Sequence, residues 1–167
     1  MAETGFFNPQ ELQQLIGIQE GMKVADFGSG SGEVAVMIAR IVGADGVVTA
    51  IDVLPSALES LAARAAHENL QNIQAVRADL EVPGSSRLPD ASQDVVYLGN
   101  ILWQSPKKSE ILAEAVRVLK SGGVLAVVEW RDRIPQQELK ELLAATGLQE
   151  IIDFPAGTYH YGMKGKK

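Results

Sequence analysis

Short runs of branched apolar residues alternate with longer amphipathic stretches along most of this chain. Apolar runs that end at Gly, Asp or Asn are typical of buried parallel strands, whereas the longer stretches have the period of helices. The predicted parallel strands are Val24 to Phe27, Val47 to Ile51, Ile73 to Arg77, Val95 to Leu98 and Val124 to Glu129. This alternation predicts βαβ units and therefore an α/β fold.

The amphipathic stretches predict helices at Glu33 to Val42, Pro55 to Asn69, Pro106 to Leu119 and Pro135 to Thr146. Gly43 is expected to end the first of these, because glycine readily adopts the positive φ of a helix C-terminus. Ser56 and Glu59 have the spacing of a capping box at the start of the second.

Two further strands are predicted near the C-terminus, Leu148 to Asp153 and His160 to Lys164. The connection between them is too short for a crossover helix, so they must be antiparallel. A length of 167 residues with 46% apolar content fits one domain over residues 1–167. Within it, residues 1–20 are expected to form a short N-terminal helical lid, with Phe6 and Phe7 folding over the site.

The charge balance argues against nucleic acid or an anionic membrane as a partner, since 21 acidic and 15 basic residues give a net charge of -6. The basic cluster at Lys164, Lys166 and Lys167 is predicted to be a frayed tail. Zero cysteines exclude disulfides, thiolate zinc sites and cysteine nucleophiles and disfavour thiol-dependent chemistry on arsenic. We expect no metal site, no transmembrane segment and a cytoplasmic location.

A glycine-rich turn follows the first predicted strand, with Gly28, Gly30 and Gly32 at alternate positions and Asp26 just before them. Glycine permits a tight turn and the close approach of a ligand. Glu33 stands where a dinucleotide-binding fold has its third glycine, and its carboxylate would repel a pyrophosphate at that helix N-terminus. A ligand without phosphate, such as S-adenosylmethionine, suits the turn better, and Asp26 could help to hold its ammonium group.

Two more acids follow the next two strands. Asp52 lies 20 residues beyond Gly32 and can accept hydrogen bonds from both ribose hydroxyls. Asp79 can accept from the adenine amino group, while the Leu80 N–H can donate to a ring nitrogen. The alternative is that these aspartates are turn formers that bond their own backbones.

These motifs together resemble the class I S-adenosylmethionine-dependent methyltransferases. The segments that carry the resemblance are VADFGSGSG (24–32), AIDVLPSAL (50–58), RADL (77–80), LPDASQDVVYLGNILW (88–103) and LKSGGVLAVVEW (119–130). A looser likeness is to the type 11 group, which includes quinone-biosynthesis C-methyltransferases. The resemblance implies a Rossmann-like three-layer sandwich with seven strands in the order 3-2-1-4-5-7-6, the seventh antiparallel.

The resemblance also assigns roles in cofactor binding. It implies that the three glycines hold the amino-acid part, that Val53 lies against the adenine face, and that the backbone of Gly99 or Asn100 lies near the methionine moiety. With the residues named above, the predicted cofactor-binding set is Asp26, Phe27, Gly28, Ser29, Gly30, Gly32, Asp52, Val53, Asp79, Leu80, Gly99 and Asn100.

The acceptor is expected at the carboxyl ends of the parallel strands, where α/β folds bind ligands. Candidates there are Asn100, Trp103, Glu129, Trp130, Arg131, Tyr159, His160 and Tyr161. For Glu129, capping a turn is an equally compatible alternative to contact with the acceptor. Of these, His160, Asn100 and Trp103 are the predicted catalytic residues. His160 suits a general base if the acceptor must lose a proton, although a strand histidine satisfied by its neighbours is equally compatible with the pattern.

The function expected from the sequence is methyl transfer from S-adenosylmethionine to a small or lipid-like acceptor. Gly99-Asn100-Ile101-Leu102 is not the N-P-P-Y type, so methylation of DNA bases or glutamine loses support. An RNA or protein methyltransferase and a non-catalytic cofactor-binding partner subunit remain alternatives. A nicotinamide-dependent oxidoreductase is disfavoured by Glu33, and the oligomeric state is left open.

Overall fold

A computed structural model describes residues 9–167 and shows one mixed sheet. Its strands are β1 (Lys23–Phe27), β2 (Val47–Asp52), β3 (Ile73–Arg77), β4 (Gln93–Gly99), β5 (Leu119–Trp130), β6 (Gln149–Pro155) and β7 (His160–Lys166). The order is β3-β2-β1-β4-β5-β7-β6, and β7 runs antiparallel to both of its neighbours. The predicted α/β class, strand order and antiparallel seventh strand are confirmed.

The helices of the described residues are α1 (Pro9–Ile16), α2 (Glu33–Val42), α3 (Pro55–His67), α4 (Lys108–Val118) and α5 (Gln136–Ala145), with a 3-10 turn at Leu102–Gln104. Gly43 ends α2 with φ 68°, as predicted. The prediction of a capping box at the start of α3 is wrong. Leu54 is the residue before the helix and makes no side-chain cap, and Pro55 starts the helix with its fixed φ instead.

Helix α1 packs into the core rather than lying free, because Leu12 and Ile16 are fully buried against α2. Phe6 and Phe7 lie outside the described residues. The N-terminal lid therefore stays a prediction.

Two apolar layers cover the sheet. On one face Ile38 of α2 and Leu61 of α3 belong to a cluster with strand residues such as Val48. On the other face Leu112 of α4 and Leu139 of α5 belong to a second cluster that also includes strand residues. Alternation along strands assigns each side chain to one face, and the central strands are buried on both, as parallel strands covered by helices are.

The C-terminal lysines do not form a frayed tail. Lys164 and Lys166 belong to β7, and the Lys167 N–H donates to the Gly123 carbonyl at 3.0 Å. The Lys164 ammonium donates to the Leu15 carbonyl, which ties β7 to the end of α1. Backbone hydrogen bonds to β5 thus keep these lysines in the sheet, although their shared charge favours a frayed tail. Within residues 9–167, no helix is long and apolar enough to cross a bilayer.

Candidate functional site

Two adjoining clefts open at the carboxyl ends of β1, β2 and β4. The larger has a volume of about 440 Å³ and the smaller about 200 Å³. They share Gly28, Gly30, Gly99 and Asn100, so they form one elongated depression. Most residues of the predicted cofactor set line it, namely Asp26, Gly28, Ser29, Gly30, Asp52, Val53, Asp79, Leu80, Gly99 and Asn100.

The glycine-rich turn has three left-handed residues, with φ 77° at Gly28, 53° at Gly30 and 82° at Gly32. A Cβ on Gly28 would lie 2.1 Å from Ile101 Cγ2, and one on Gly32 would lie 2.1 Å from Leu61 Cδ1. A Cβ on Gly30 would meet no atom within 4 Å. Gly28 and Gly32 are therefore required by packing as well as by conformation, whereas Gly30 faces open space in the clefts.

Asp52 at the end of β2 connects the turn to the next helix. Its Oδ2 accepts the Gly30 N–H and its Oδ1 accepts the Leu54 N–H, both at 2.9 Å. A carboxylate oxygen can accept two hydrogen bonds, so each oxygen keeps one free site, enough for two neighbouring hydroxyls. Val53 beside it is 51% exposed and gives this part of the larger cleft an apolar wall.

Asp79 follows β3 and also lines the larger cleft. Its Oδ1 accepts the Glu81 N–H at 3.0 Å, and the Ser85 hydroxyl donates to its carbonyl oxygen. Like Asp52, it bonds an N–H two residues ahead, as turn-forming aspartates do. Since both also line the cleft, the turn-forming role and the predicted binding role are compatible.

The smaller cleft contains buried acceptors. Asp26 is 1% exposed, and burial, with a smaller effect of Asp52, raises the pKa of its carboxyl to about 7. Among the described residues, Asp26 Oδ2, Ser29 Oγ and Asn100 Oδ1 are buried side-chain atoms without a hydrogen-bond partner. Buried polar atoms are nearly always paired. Three such atoms lining one cleft fit a ligand with an ammonium or similar donor, such as the amino-acid part of S-adenosylmethionine.

Two predicted cofactor residues do not line the clefts. Phe27 is fully buried in the core, because alternation along β1 turns it to the face opposite Asp26. Gly32 precedes α2 and faces Leu61. Both shape the turn rather than contact the depression.

Tyr97 lines the smaller cleft, although it is not among the residues predicted from the sequence. It is directly in register with Asp26 on the neighbouring strand, so both project from the same face. Its ring lies 2.9 Å from where a Cβ on Gly99 would be. Strand alternation plus the strand order could have found it. Also missed on the walls are Ser31, Glu33, Val34, Leu54, Ala78, Glu81, Ile101, Gln104, Ser105 and Ile111.

The antiparallel β7 brings His160 to the carboxyl edge of the sheet, as predicted. Its ring centroid lies 3.9 Å from that of Trp130. Burial, and to a lesser extent Arg131, lower the pKa of His160, so the imidazole is neutral at pH 7. His160 does not line either cleft and lies two strand spacings, roughly 10 Å, from β4.

The aromatic rim at this edge comprises Trp103, Trp130 and Tyr159, which are 36%, 38% and 69% exposed. The Arg133 guanidinium lies 4.8 Å from the centre of the Trp103 ring. Trp103 thus belongs to this rim and not to the two clefts. Asn100, by contrast, lines both clefts.

Glu129 at the end of β5 points into the protein, not toward the rim. It is fully buried, and its Oε1 accepts the Leu102 N–H at 2.8 Å. Burial raises the pKa of this carboxyl to about 7, although the backbone N–H groups of residues 101–103 oppose the increase. Of the two predicted roles of Glu129, this geometry favours capping of the turn over direct contact with an acceptor.

Among residues 9–167, no three His, Asp or Glu side chains lie close enough to hold a metal ion.

Comparison with known proteins gives a consistent match. Residues 18–153 match the model of a family described as "Methyltransferase domain". Demethylmenaquinone methyltransferase of Listeria monocytogenes is 31% identical over 121 residues, which cover 72% of this chain and 49% of that protein. An arsenite methyltransferase of Aquipseudomonas alcaligenes is 34% identical over 130 residues, 73% of this chain and 37% of that protein. The chain therefore spans at most about half the length of these curated relatives.

Solved structures match over almost the whole chain. The crystal structure of an S-adenosylmethionine-dependent methyltransferase from Aquifex aeolicus has a TM-score of 0.83 and 25% identity, covering 95% of this chain and 89% of that one. The crystal structure of the [4+2]-cyclase SpnF has a TM-score of 0.75 and 22% identity, and the match covers 86% of this chain and 57% of that one. The second likeness concerns the fold alone.

Proposed function

Since this chain belongs to the S-adenosylmethionine-dependent methyltransferase family, we propose that it transfers a methyl group from S-adenosylmethionine to a small or lipid-like acceptor. The observation that carries the proposal is the paired cleft, in which the Asp52 carboxylate lies near three buried side-chain oxygens that have no hydrogen-bond partner. When bound, S-adenosylmethionine supplies a methyl carbon activated by a sulfonium.

The two clefts suit the two ends of that cofactor. We assign the adenosine to the larger cleft, where Asp52 accepts from the ribose hydroxyls, Val53 covers one adenine face and Asp79 accepts from the adenine amino group. The amino-acid part belongs to the smaller cleft, where Asp26 faces the ammonium. Asn100 and Gly99 line both clefts, which favours a sulfonium at their junction.

The chain contributes alignment and desolvation, which supply much of the acceleration in an in-line displacement. Trp130 and Trp103 suit stacking of a planar acceptor. His160 is held neutral beside Trp130, so it can accept a proton from an acceptor bound at the rim. The catalytic set of His160, Asn100 and Trp103 remains our proposal.

A planar or apolar small molecule is the acceptor class that the rim favours, because three large aromatic side chains remain substantially exposed there. Relatives are named for demethylmenaquinone, arsenite and sterol methylation. The lack of cysteine disfavours arsenite, and the net charge of -6 disfavours RNA. A quinone-like or sterol-like acceptor is therefore our first choice.

Calorimetric titration with S-adenosylmethionine, S-adenosylhomocysteine and NADH tests the cofactor assignment. We expect both sulfur compounds to bind, NADH not to bind, and Asp52→Ala to weaken binding at least about tenfold by removing charge-assisted hydrogen bonds. Asp45→Ala is the matched control, because Asp45 is exposed in the α2–β2 turn at the opposite edge of the sheet. Equal loss in both variants, or binding of NADH alone, would refute the assignment.

Transfer of a radiolabelled methyl group to a short-chain demethylmenaquinol or a sterol tests the acceptor class. His160→Gln is expected to lower kcat at least about tenfold while leaving cofactor affinity unchanged. A second candidate is a cofactor-binding subunit that needs a partner, and it is favoured by the open acceptor side, where Trp103, Trp130 and Tyr159 are 36%, 38% and 69% exposed. Tight cofactor binding without transfer to a broad acceptor panel would favour that second candidate.

A further inference from the structure

The segment of residues 100–104, which we call the β4–α4 segment, forms part of the wall of both clefts. Asn100, Ile101 and Gln104 all line the larger cleft. The backbone of Asn100 is left-handed, with φ 58°, and the Gln104 amide donates to the Asn100 carbonyl at 2.7 Å. Cofactor binding therefore depends on how this short, irregular segment is held.

The segment makes no cap from its own side chains. Ile101 precedes the 3-10 turn and has no side chain that can accept a hydrogen bond. Glu129 of β5 supplies the acceptor instead, since its Oε1 accepts the Leu102 N–H at 2.8 Å. The N–H groups of Ile101 and Trp103 also favour the charged form of this carboxyl. The Leu102 N–H thus bonds a buried carboxylate, and the N–H groups of its two neighbours stabilise the same charge, as at the start of a helix.

The held segment in turn supports the glycine-rich turn. Ile101 packs so closely against Gly28 that a Cβ there would lie 2.1 Å from Ile101 Cγ2. A displacement of the Ile101 backbone would therefore change the packing beneath the turn. Contacts run continuously from β5 through the β4–α4 segment to the cofactor cleft.

We propose that Glu129 is a positioning residue for cofactor binding, which acts from the end of β5 by fixing the β4–α4 segment against the glycine-rich turn. This inference rests on the proposed function for its consequence. Glu129 lines neither cleft and touches no cofactor atom in this role.

The carboxyl of Glu129 is close to the balance between its two protonation states near neutral pH. Burial raises its pKa to about 7 against the backbone N–H groups and Lys108 of α4, which lower it. Tyr97 of β4 and Tyr161 of β7 also face it: burial is the main reason that the pKa of each hydroxyl is raised, and the charge of Glu129 adds to the effect. Among described residues, Glu129 Oε2 has no hydrogen-bond partner. Protonation removes the charge that holds the segment.

The first experiment measures S-adenosylmethionine affinity by calorimetry for Glu129→Gln and Glu129→Ala. We expect a loss of about threefold for Gln, which keeps one acceptor oxygen, and about tenfold or more for Ala, which keeps none. Leu143→Ala is the stability control, because Leu143 is fully buried in α5 away from the clefts. Unchanged affinity in the Glu129 variants, or an equal loss in Leu143→Ala, would overturn the proposal.

The second experiment is independent of cofactor binding. The chain has two tryptophans, Trp103 in the held segment and Trp130 next to Glu129. In a Trp130→Phe background, Trp103 is the sole indole, and its emission should shift with a midpoint near pH 7. We expect Trp130→Phe/Glu129→Gln to abolish that shift and Trp130→Phe/Asp26→Asn to retain it.

Two outcomes of this titration overturn the positioning role. In one, the shift persists without Glu129 and disappears without Asp26, which would assign it to the other buried carboxyl. In the other, Trp103 emission shows no transition near pH 7. If the wild-type chain fails to bind S-adenosylmethionine while the titration behaves as expected, the proposed function fails and the positioning of the segment stands.

Discussion

Asp26 carries its carboxyl in a fully buried position beside a second acid, Asp52. Its pKa is raised from 3.8 to about 7, so the folded protein binds a proton there that the unfolded chain has released. Stability is therefore lost as pH rises from about 4 to about 7. The free energy of unfolding of Asp26→Asn should exceed that of the wild type by at least about 1 kcal/mol at pH 8 and should equal it near pH 4. Denaturant unfolding at both pH values measures this.

The same carboxyl should make cofactor affinity depend on pH. A bound ammonium favours the ionised form, so affinity should fall as Asp26 becomes protonated below about pH 7. Asp26→Asn is expected to bind S-adenosylmethionine about tenfold more weakly at pH 8 and almost as well as the wild type at pH 6. Calorimetry at pH 8 and at pH 6 tests this prediction. An equal loss of affinity at both pH values would show that the ammonium does not bind beside Asp26.

Individual site residues were predictable where backbone position alone determined their place. Asp26, Asp52 and Asp79 come at strand ends, and a strand end is recognisable in sequence. For Glu129 the sequence left two roles open, because the choice between them depends on the 3-10 turn that offers the Leu102 N–H to the carboxylate. Trp103 is one of the predicted acceptor-side residues, and that same turn places it on the rim rather than in the clefts.

Among the elements, the glycine-rich turn separates structural from ligand-facing glycines. Gly28→Ala and Gly32→Ala should each lower Tm by several degrees, since each Cβ would overlap a buried or packed side chain. Gly30→Ala should cost only about 1 kcal/mol, the penalty for a left-handed alanine, but should reduce cofactor affinity because its Cβ enters the cleft. Thermal unfolding paired with calorimetry distinguishes the two classes, and a uniform effect on stability would contradict the division.

The loop between β3 and β4 is held by one buried carboxylate of α4. Glu114 accepts from Arg117, the Ser86 hydroxyl and the Gly84 N–H, and these contacts, Arg117 first, lower its pKa to about 2. This contribution to stability is present above about pH 4.5 and is lost as pH falls toward 2. Glu114→Gln should lower the free energy of unfolding by roughly 2 kcal/mol at pH 7 and by little at pH 2.5. Hydrogen exchange should show faster opening of residues 79–92 at pH 7; unchanged exchange would exclude this role.

The elements themselves were largely predictable, and their ends less so. The α2 bounds agree with the prediction because Gly32 and Gly43 limit the helix on both sides. Helix α4 begins later than predicted, since the Ser105 hydroxyl bonds Glu81 and accepts the Lys107 N–H, which keeps the intervening residues in a turn. Such long-range hydrogen bonds leave no periodic signal in the sequence.

At the scale of the whole molecule, cofactor binding should be visible as stability. S-adenosylmethionine at about 100 times its dissociation constant stabilises a folded protein by roughly 2.7 kcal/mol, or roughly 5–10 °C in Tm for a chain of this size. We expect such a shift with S-adenosylmethionine and S-adenosylhomocysteine and none with NADH. Asp52→Ala should lose it and Asp45→Ala should keep it. A shift that Asp52→Ala retains would show binding elsewhere.

The antiparallel pairing of β6 and β7 followed from a simple length argument, because the connection between them cannot hold a crossover helix. The strand order followed from the resemblance to the family. The acceptor side could not be derived in the same way. It depends on the directions of Trp103, Trp130 and His160, which three separate connections bring together. The acceptor class thus remains a proposal, although the fold that presents it was predictable.

The rim residues lie at or beyond the last hydrogen-bonded positions of their strands, and the large aromatic ones are partly exposed. Replacing Trp103, Trp130 or Tyr159 therefore removes little from the two apolar layers that stabilise the sheet. In evolutionary terms, selectivity at this edge can drift while the scaffold persists. A combinatorial library confined to these three positions is accordingly a practical starting point for redirecting the chain toward new acceptors.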